Sequence, residues 1–115
     1  MFIADSADKE YRFGESGPKY IMKGPRMNFG IVRLVSGEDF LGHYHNIMEE
    51  NFFVLEGKID FTVDGKLFTL GEGQFIHIEP GEVHYLKNNT ETPVKAVFAL
   101  APYMENEKVE VLGKI

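Results

Sequence analysis

At 115 residues the chain is long enough for one domain with one hydrophobic core, and short enough that association of subunits would add stability. Apolar residues make up 43% of it with no run of about eighteen, which argues against a membrane span, and a net charge of −6 without a basic cluster argues against nucleic acid as a partner. Cysteine is absent, so disulfides and thiolate metal sites are excluded and imidazole and carboxylate are the usable ligands. The N-terminus lacks the basic region and apolar stretch of a secretory signal, which makes the cytoplasm the expected compartment.

Residues 1–26 are expected to form an N-terminal arm in which Gly14 to Lys19 reads as loop and Tyr20 to Met22 as a short edge strand. From Met27 to Val35 the apolar character is continuous, with Phe29, Ile31, Leu34 and Val35, and predicts a strand buried on both faces. Arg33 inside it is either a strand-end residue paired with a surface carboxylate or a group that reaches a central pocket and holds an anionic substrate.

Gly37 turns the chain into GEDFLGHYHNIMEENFFVLEG. On an extended strand His43 and His45 leave by the same face, so two imidazoles can aim at one point, and with Glu50 they make a cradle for a divalent metal. If Glu50 points inward, so do Phe52 and Val54, and Phe53 and Leu55 face outward. An outward apolar face needs a cover, a second sheet or a second subunit, and a homodimer is expected on this ground. Asn46 and Met48, between the ligands, are candidates for the wall of the entrance.

Ile59, Phe61 and Val63 alternate with Asp60 and Thr62 as a half-buried strand does, and Asp64-Gly65 is a favoured hairpin turn returning through Lys66 to Leu70. Gln74 to Ile78, His84 to Lys87 and Val94 to Leu100 read as further strands. The Ile-Glu-Pro-Gly turn before His84 allows a fourth ligand to fold back toward the first three. His77 is either a partly buried histidine bonded to backbone or a general acid or base lining the pocket. Tyr44 and Tyr85, beside the ligand histidines, should point away from the metal by strand alternation. Met104 to Ile115 reads as a final strand or a turn of helix over the end of the fold. Short strands with turns at intervals of about 8 to 12 residues and no convincing helix define an all-β sandwich or barrel.

The two histidine stretches together resemble the paired motifs of the cupin superfamily. The first family motif is matched at Gly37, His43, His45, Glu50 and Gly57, and the second at Gly73, Gly81, His84 and Asn88, with Glu79 where the family usually has proline. The resemblance covers residues 30–100 and implies a double-sheet jelly roll over residues 27–102, with residues 103–115 packed on the barrel. It favours Mn or Fe for enzymes of this ligand set, with Zn, Ni and Co compatible. Three imidazoles and one carboxylate leave a divalent ion a net charge near +1 and adjacent open positions for a small molecule offering two oxygens. Three functions follow: a metal-dependent isomerase, epimerase or lyase acting on a small sugar or sugar acid, an Fe(II) dioxygenase, or a non-catalytic metal- or sugar-binding module.

Overall fold

Val94–Ala101 alternates buried and half-buried side chains along its whole length, the pattern of a strand with one face in a core and the other turned outward. The same period of two runs through the computed structural model, which describes residues 1–111; residues 112–115 of the expected C-terminal segment lie outside the described residues. In chain order the strands are β1 (Gly17–Lys23), β2 (Asn28–Leu34), β3 (Asp39–His45), β4 (Glu49–Glu56), β5 (Ile59–Val63), β6 (Lys66–Leu70), β7 (Phe75–Ile78), β8 (His84–Lys87), β9 (Val94–Ala101) and β10 (Lys108–Glu110).

They form two antiparallel five-stranded sheets, β1-β2-β9-β4-β7 and β10-β3-β8-β5-β6. From β2 onward the chain changes sheet at every connection except the β5–β6 hairpin, which is the winding of a double-stranded β-helix. That hairpin turns on Asp64 and Gly65, both at positive φ (47° and 82°), as the Asp-Gly pair leads one to expect. The inner faces of the two sheets meet in one core around Phe61, Leu34, Ile59, Val54, Leu86 and Val94.

Two strands differ from the sequence reading. The first strand runs from Gly17, not Tyr20, because its ladder to β2 extends over the whole of Gly17–Lys23. The second is not buried on both faces: Val32 and Leu34 turn inward, whereas Phe29 and Ile31 face a side of the sheet that no other layer covers among the described residues. The C-terminal segment, left open between strand and helix, supplies β10, which pairs with β3.

Gly30 shows how closely the cavity wall is fitted. A Cβ there would stand 2.4 Å from the Lys19 carbonyl and 2.6 Å from the Phe98 ring, so the absence of a side chain is what lets Phe98 lie under β2. Tyr20, paired with Gly30 across the β1–β2 ladder, packs edge-on against that ring at 5.3 Å.

Asn88 fastens the opposite end. Fully buried, it donates through Nδ2 to the carbonyls of Leu34 (2.9 Å) and Thr92 (2.8 Å), and its Oδ1 accepts from the Thr90 amide and hydroxyl. Its own backbone exchanges hydrogen bonds with Gly37 and Glu38, so a single side chain ties the β2–β3 turn to the β8–β9 loop. Replacing Asn88 by Ala is expected to lower stability by about 3 kcal/mol, because buried carbonyls lose their donors. A urea denaturation midpoint unchanged from wild type would show that the network carries no such weight.

Candidate metal centre

His43 and His84 are direct cross-strand partners on β3 and β8, so their side chains leave the same face of one sheet, and His45 follows two residues along β3. Glu50 comes from β4 in the other sheet, inward with Phe52 and Val54 as alternation requires. The four meet across the interior: Glu50 Oε1 lies 2.7 Å from His84 Nε2, 3.6 Å from His45 Nε2 and 3.7 Å from His43 Nε2. All four residues are buried, and their candidate donor atoms lie within 4.8 Å of one another. Donors of one ion stand at most about 4.2 Å apart, twice the metal–nitrogen distance, so a contraction of a few tenths of an ångström would close the set.

His43 and His84 turn Nε2 to the centre while Nδ1 is hydrogen-bonded elsewhere. His43 Nδ1 is 2.9 Å from the Leu41 carbonyl and His84 Nδ1 is 3.0 Å from that of Glu82, in both cases the residue two back in the chain. His45 faces the Glu107 carboxylate at 3.5 Å, and Glu107 itself accepts from the Ile47 and Met48 amides. Backbone carbonyls and carboxylates behind ligand histidines are the partners that fix the tautomer presenting Nε2 to a metal. The buried nitrogens of His45 have no hydrogen-bond partner, an arrangement that costs stability unless a cation takes the Nε2 lone pair. The residues therefore fit a divalent ion.

Burial works to raise the Glu50 pKa, but hydrogen bonds from the three imidazoles outweigh it and hold the carboxyl well below its ordinary range. Burial works to lower the pKa of His84, and its hydrogen bond to Glu50 more than reverses this, so that without metal the ring holds its proton more tightly than a free histidine.

Next to this cluster is an inner cavity of about 140 Å³, walled by Val32, Phe40, Phe52, Leu86, Phe98 and Leu100. It adjoins an outer basin of about 500 Å³, and Arg12, Tyr20, His45 and Lys108 line both. Met48 and Glu107 border the outer basin, whereas Asn46 is exposed and borders neither. Sequence reasoning did not single out Arg12, Lys108 or Glu107, and it treated Tyr20 only as strand. Arg12 and Tyr20 come from the segment read as an arm, and Lys108 and Glu107 from the segment whose structure was left open. Only the pairing of β1 and β10 onto the sheets brings them in.

The two residues proposed from sequence as catalytic are not brought to the cavity. Arg33 lies on the outer face of β2 and donates to the Glu15 carbonyl (2.8 Å). His77 is paired with Asn51 across β7 and β4, on the face opposite Glu50, where it contacts Asn51 at 2.6 Å and Glu79 at 3.1 Å. Both expectations are corrected by strand parity: one residue either way along each strand would have faced inward. Tyr85 turns away from the centre as expected and donates to Asp39, and burial together with that carboxylate pushes its pKa up to about 12.

Two wound sheets enclosing a buried three-histidine, one-carboxylate cluster beside a cavity define a small β-barrel with a candidate metal site. The family model described as cupin domain matches residues 30–100, and the chain belongs to this family. Among curated relatives, an uncharacterised protein of Methanocaldococcus jannaschii is 29% identical over 92 residues, covering 80% of this chain and 74% of that one. Quercetin 2,3-dioxygenase of Bacillus subtilis is 30% identical over 77 residues, which is 67% of this chain but 23% of the enzyme. Among solved structures, the polyketide cyclase RemF of Streptomyces resistomycificus superposes with a TM-score of 0.83 at 17% identity, covering 99% of this chain and 87% of that one. A sugar phosphate isomerase of Silicibacter pomeroyi gives 0.67 at 21% identity over 84% and 73%. These two likenesses establish the fold alone.

Metal uptake must displace the proton that Glu50 helps His84 retain. Affinity for a divalent ion is therefore expected to fall as pH drops through neutrality, with protons released on binding. Titration calorimetry in buffers of different ionisation enthalpy reads this directly; an apparent enthalpy independent of buffer would contradict it.

Proposed function

We propose that the protein is a metal-dependent enzyme that binds a small oxygen-bearing metabolite in the barrel and moves a proton beside a carbonyl, as an isomerase, epimerase or lyase does. The observation that carries this reading is that the buried donor set opens onto a cavity, where a purely structural site would be closed by protein on all sides. A divalent ion held by His43, His45, Glu50 and His84 would supply Lewis acidity toward a carbonyl or enol oxygen, and Mn or Fe is the preferred occupant, with Zn, Ni and Co compatible.

The chain's own contribution falls to Tyr20. Its ring enters the cavity against Phe98, and no hydrogen-bond partner engages its hydroxyl among the described residues. Burial pushes its pKa up, with Arg12 opposing and Glu50 reinforcing, so the phenol stays protonated at neutral pH and can donate to an oxyanion as it forms. Fe-dependent dioxygenase chemistry at the same donors is the second reading, favoured by the similarity to quercetin 2,3-dioxygenase.

His84→Ala is expected to lose most of its bound metal while keeping its circular dichroism, and Tyr20→Phe to keep the metal while losing about 100-fold in turnover. Turnover is read anaerobically, as deuterium exchange beside the carbonyl in a panel of α-hydroxy and α-keto acids. Full metal content in His84→Ala would refute the ligand set, and strict dependence on O2 would replace the first reading by the second.

We also propose that a second copy of the chain covers the outer face of the β1-β2-β9-β4-β7 sheet. Ile31, Val97, Phe53 and Phe75 are successive cross-strand partners there and make one apolar row across four strands, with Phe53 and Phe75 42% and 59% exposed. Arg33 and Lys95 lie at one end of this face and Glu49 at the other, which a two-fold axis across the strands would bring together. Sedimentation is expected to give a dimer that Phe53→Glu converts to a folded monomer; a wild-type monomer at micromolar concentration would end this proposal.

A further inference from the structure

We infer that the inner cavity selects a compact, largely apolar anion, an α-hydroxy or α-keto acid carrying a single ring or a branched alkyl group, over a polyol. This names a substrate class for the metal-dependent reading above and rests on it.

Size and lining set the body of the ligand. The inner cavity of about 140 Å³ is close to the engineered cavity of about 150 Å³ that admits one benzene molecule. Its walls are aromatic and aliphatic, with Phe40, Phe52, Phe98, Val32 and Leu100 among them. A ring or branched chain gains hydrophobic stabilisation there, whereas each hydroxyl carried in without a partner costs free energy.

The inventory of donors and acceptors sets the head of the ligand. Among the polar side chains around the inner cavity, His43, His45 and Glu50 face the metal cluster, which leaves Arg12, Lys108 and Tyr20. Arginine and lysine donate and cannot accept. Apart from the phenol oxygen and the second oxygen of Glu50, whose Oε1 takes the three imidazole contacts, no free side chain lining the inner cavity among the described residues accepts a hydrogen bond, so the several hydroxyl protons of a sugar would outnumber their partners. An unpartnered amide oxygen, Asn28 Oδ1, belongs to the outer basin. A carboxylate beside a hydroxyl or carbonyl is the converse case, rich in acceptors and poor in donors.

Charge points the same way. Lys108 is the cross-strand partner of His45 and so projects from the same face of the sheet. The guanidinium of Arg12 stands 6.0 Å from the centre of the Tyr20 ring. Both cations stand where inner cavity and outer basin join, while the nearby acids are engaged: Glu107 by two backbone amides and Glu105 by the Tyr103 hydroxyl. Glu50 is the acidic side chain among the described residues lining the inner cavity, so with a divalent ion on the cluster the lining of Arg12, Lys108 and Glu50 would be net positive and would draw anions.

The test compares acids that share one chelating head and differ in the body. Binding of mandelate and of xylonate, which have the same number of non-hydrogen atoms, is measured by calorimetry on Mn-loaded wild-type protein, alongside neutral mandelamide. Mandelate is expected to bind at least about tenfold more tightly than xylonate. Arg12→Gln and Lys108→Gln should each weaken mandelate several-fold and leave mandelamide unmoved. Equal or tighter binding of xylonate, no binding of mandelate to metal-loaded protein, or indifference of mandelate to both substitutions would overturn the inference while leaving the metal-dependent reading intact. Failure of the wild-type protein to take up Mn, Fe or Zn at all would overturn both.

Discussion

The structure depends on a carboxylate held inside a barrel. Glu50 is buried and ionised, and an isolated carboxylate in such a place would cost more than a small domain can tolerate. What makes it tolerable is the ring of three imidazoles from the opposite sheet, and for that ring to form, β4 must face β3 and β8 with every strand in its correct register. A slip of one residue in β3 would turn His43 and His45 outward together and leave Glu50 without its partners. The polar centre therefore requires the same register that the apolar core requires.

Orientation is supplied at two ranges. For His43 and His84 the Nδ1 partner is a carbonyl two residues back, on β3 itself for His43 and in the turn ahead of β8 for His84, so local backbone sets both rings. His45 has no such local partner, and its neighbour is Glu107, sixty-two positions on and just ahead of β10. β10 closes the sheet beside β3, and the same short segment sets Lys108 next to His45. The C-terminal segment thus serves the centre both by backing one ligand and by adding a cation at the mouth.

The fold and the meeting of His43, His45, Glu50 and His84 in one cluster were legible because both are written in local spacing. Period-two alternation and the Asp64-Gly65 turn gave the strands, and the separations of His43, His45, Glu50 and His84 matched a motif pair. The rest depended on long-range pairing. The stretch before Tyr20 carries Gly14, Gly17 and Pro18 and reads as loop, yet Gly17 to Lys19 become strand once β2 offers its free edge. Phe29 and Ile31 suggested burial on both faces, but apolar character does not reveal whether a covering layer exists, and among the described residues of one chain none does. Asn88 was visible as a motif position, but not as the side chain that ties two loops together.

His77 and Tyr20 show what decides a role in such a barrel. Histidine is the commoner proton carrier at neutral pH and was the natural choice by residue type. Residue type, however, is subordinate to parity. His77 is the cross-strand partner of Asn51, and Asn51 follows Glu50, so the alternation that sends Glu50 to the histidine cluster sends His77 outside. Tyr20 is the partner of Gly30, the buried position that makes room for Phe98, and the same rule directs its phenol inward. Between the register shifts at Tyr20/Met22, Phe40/His43 and Val54/Glu56, the direction of one residue lets the ladders assign its neighbours to the inside or the outside. The donors facing the cavity are then fixed by register, and with them the chemistry the cavity can accept.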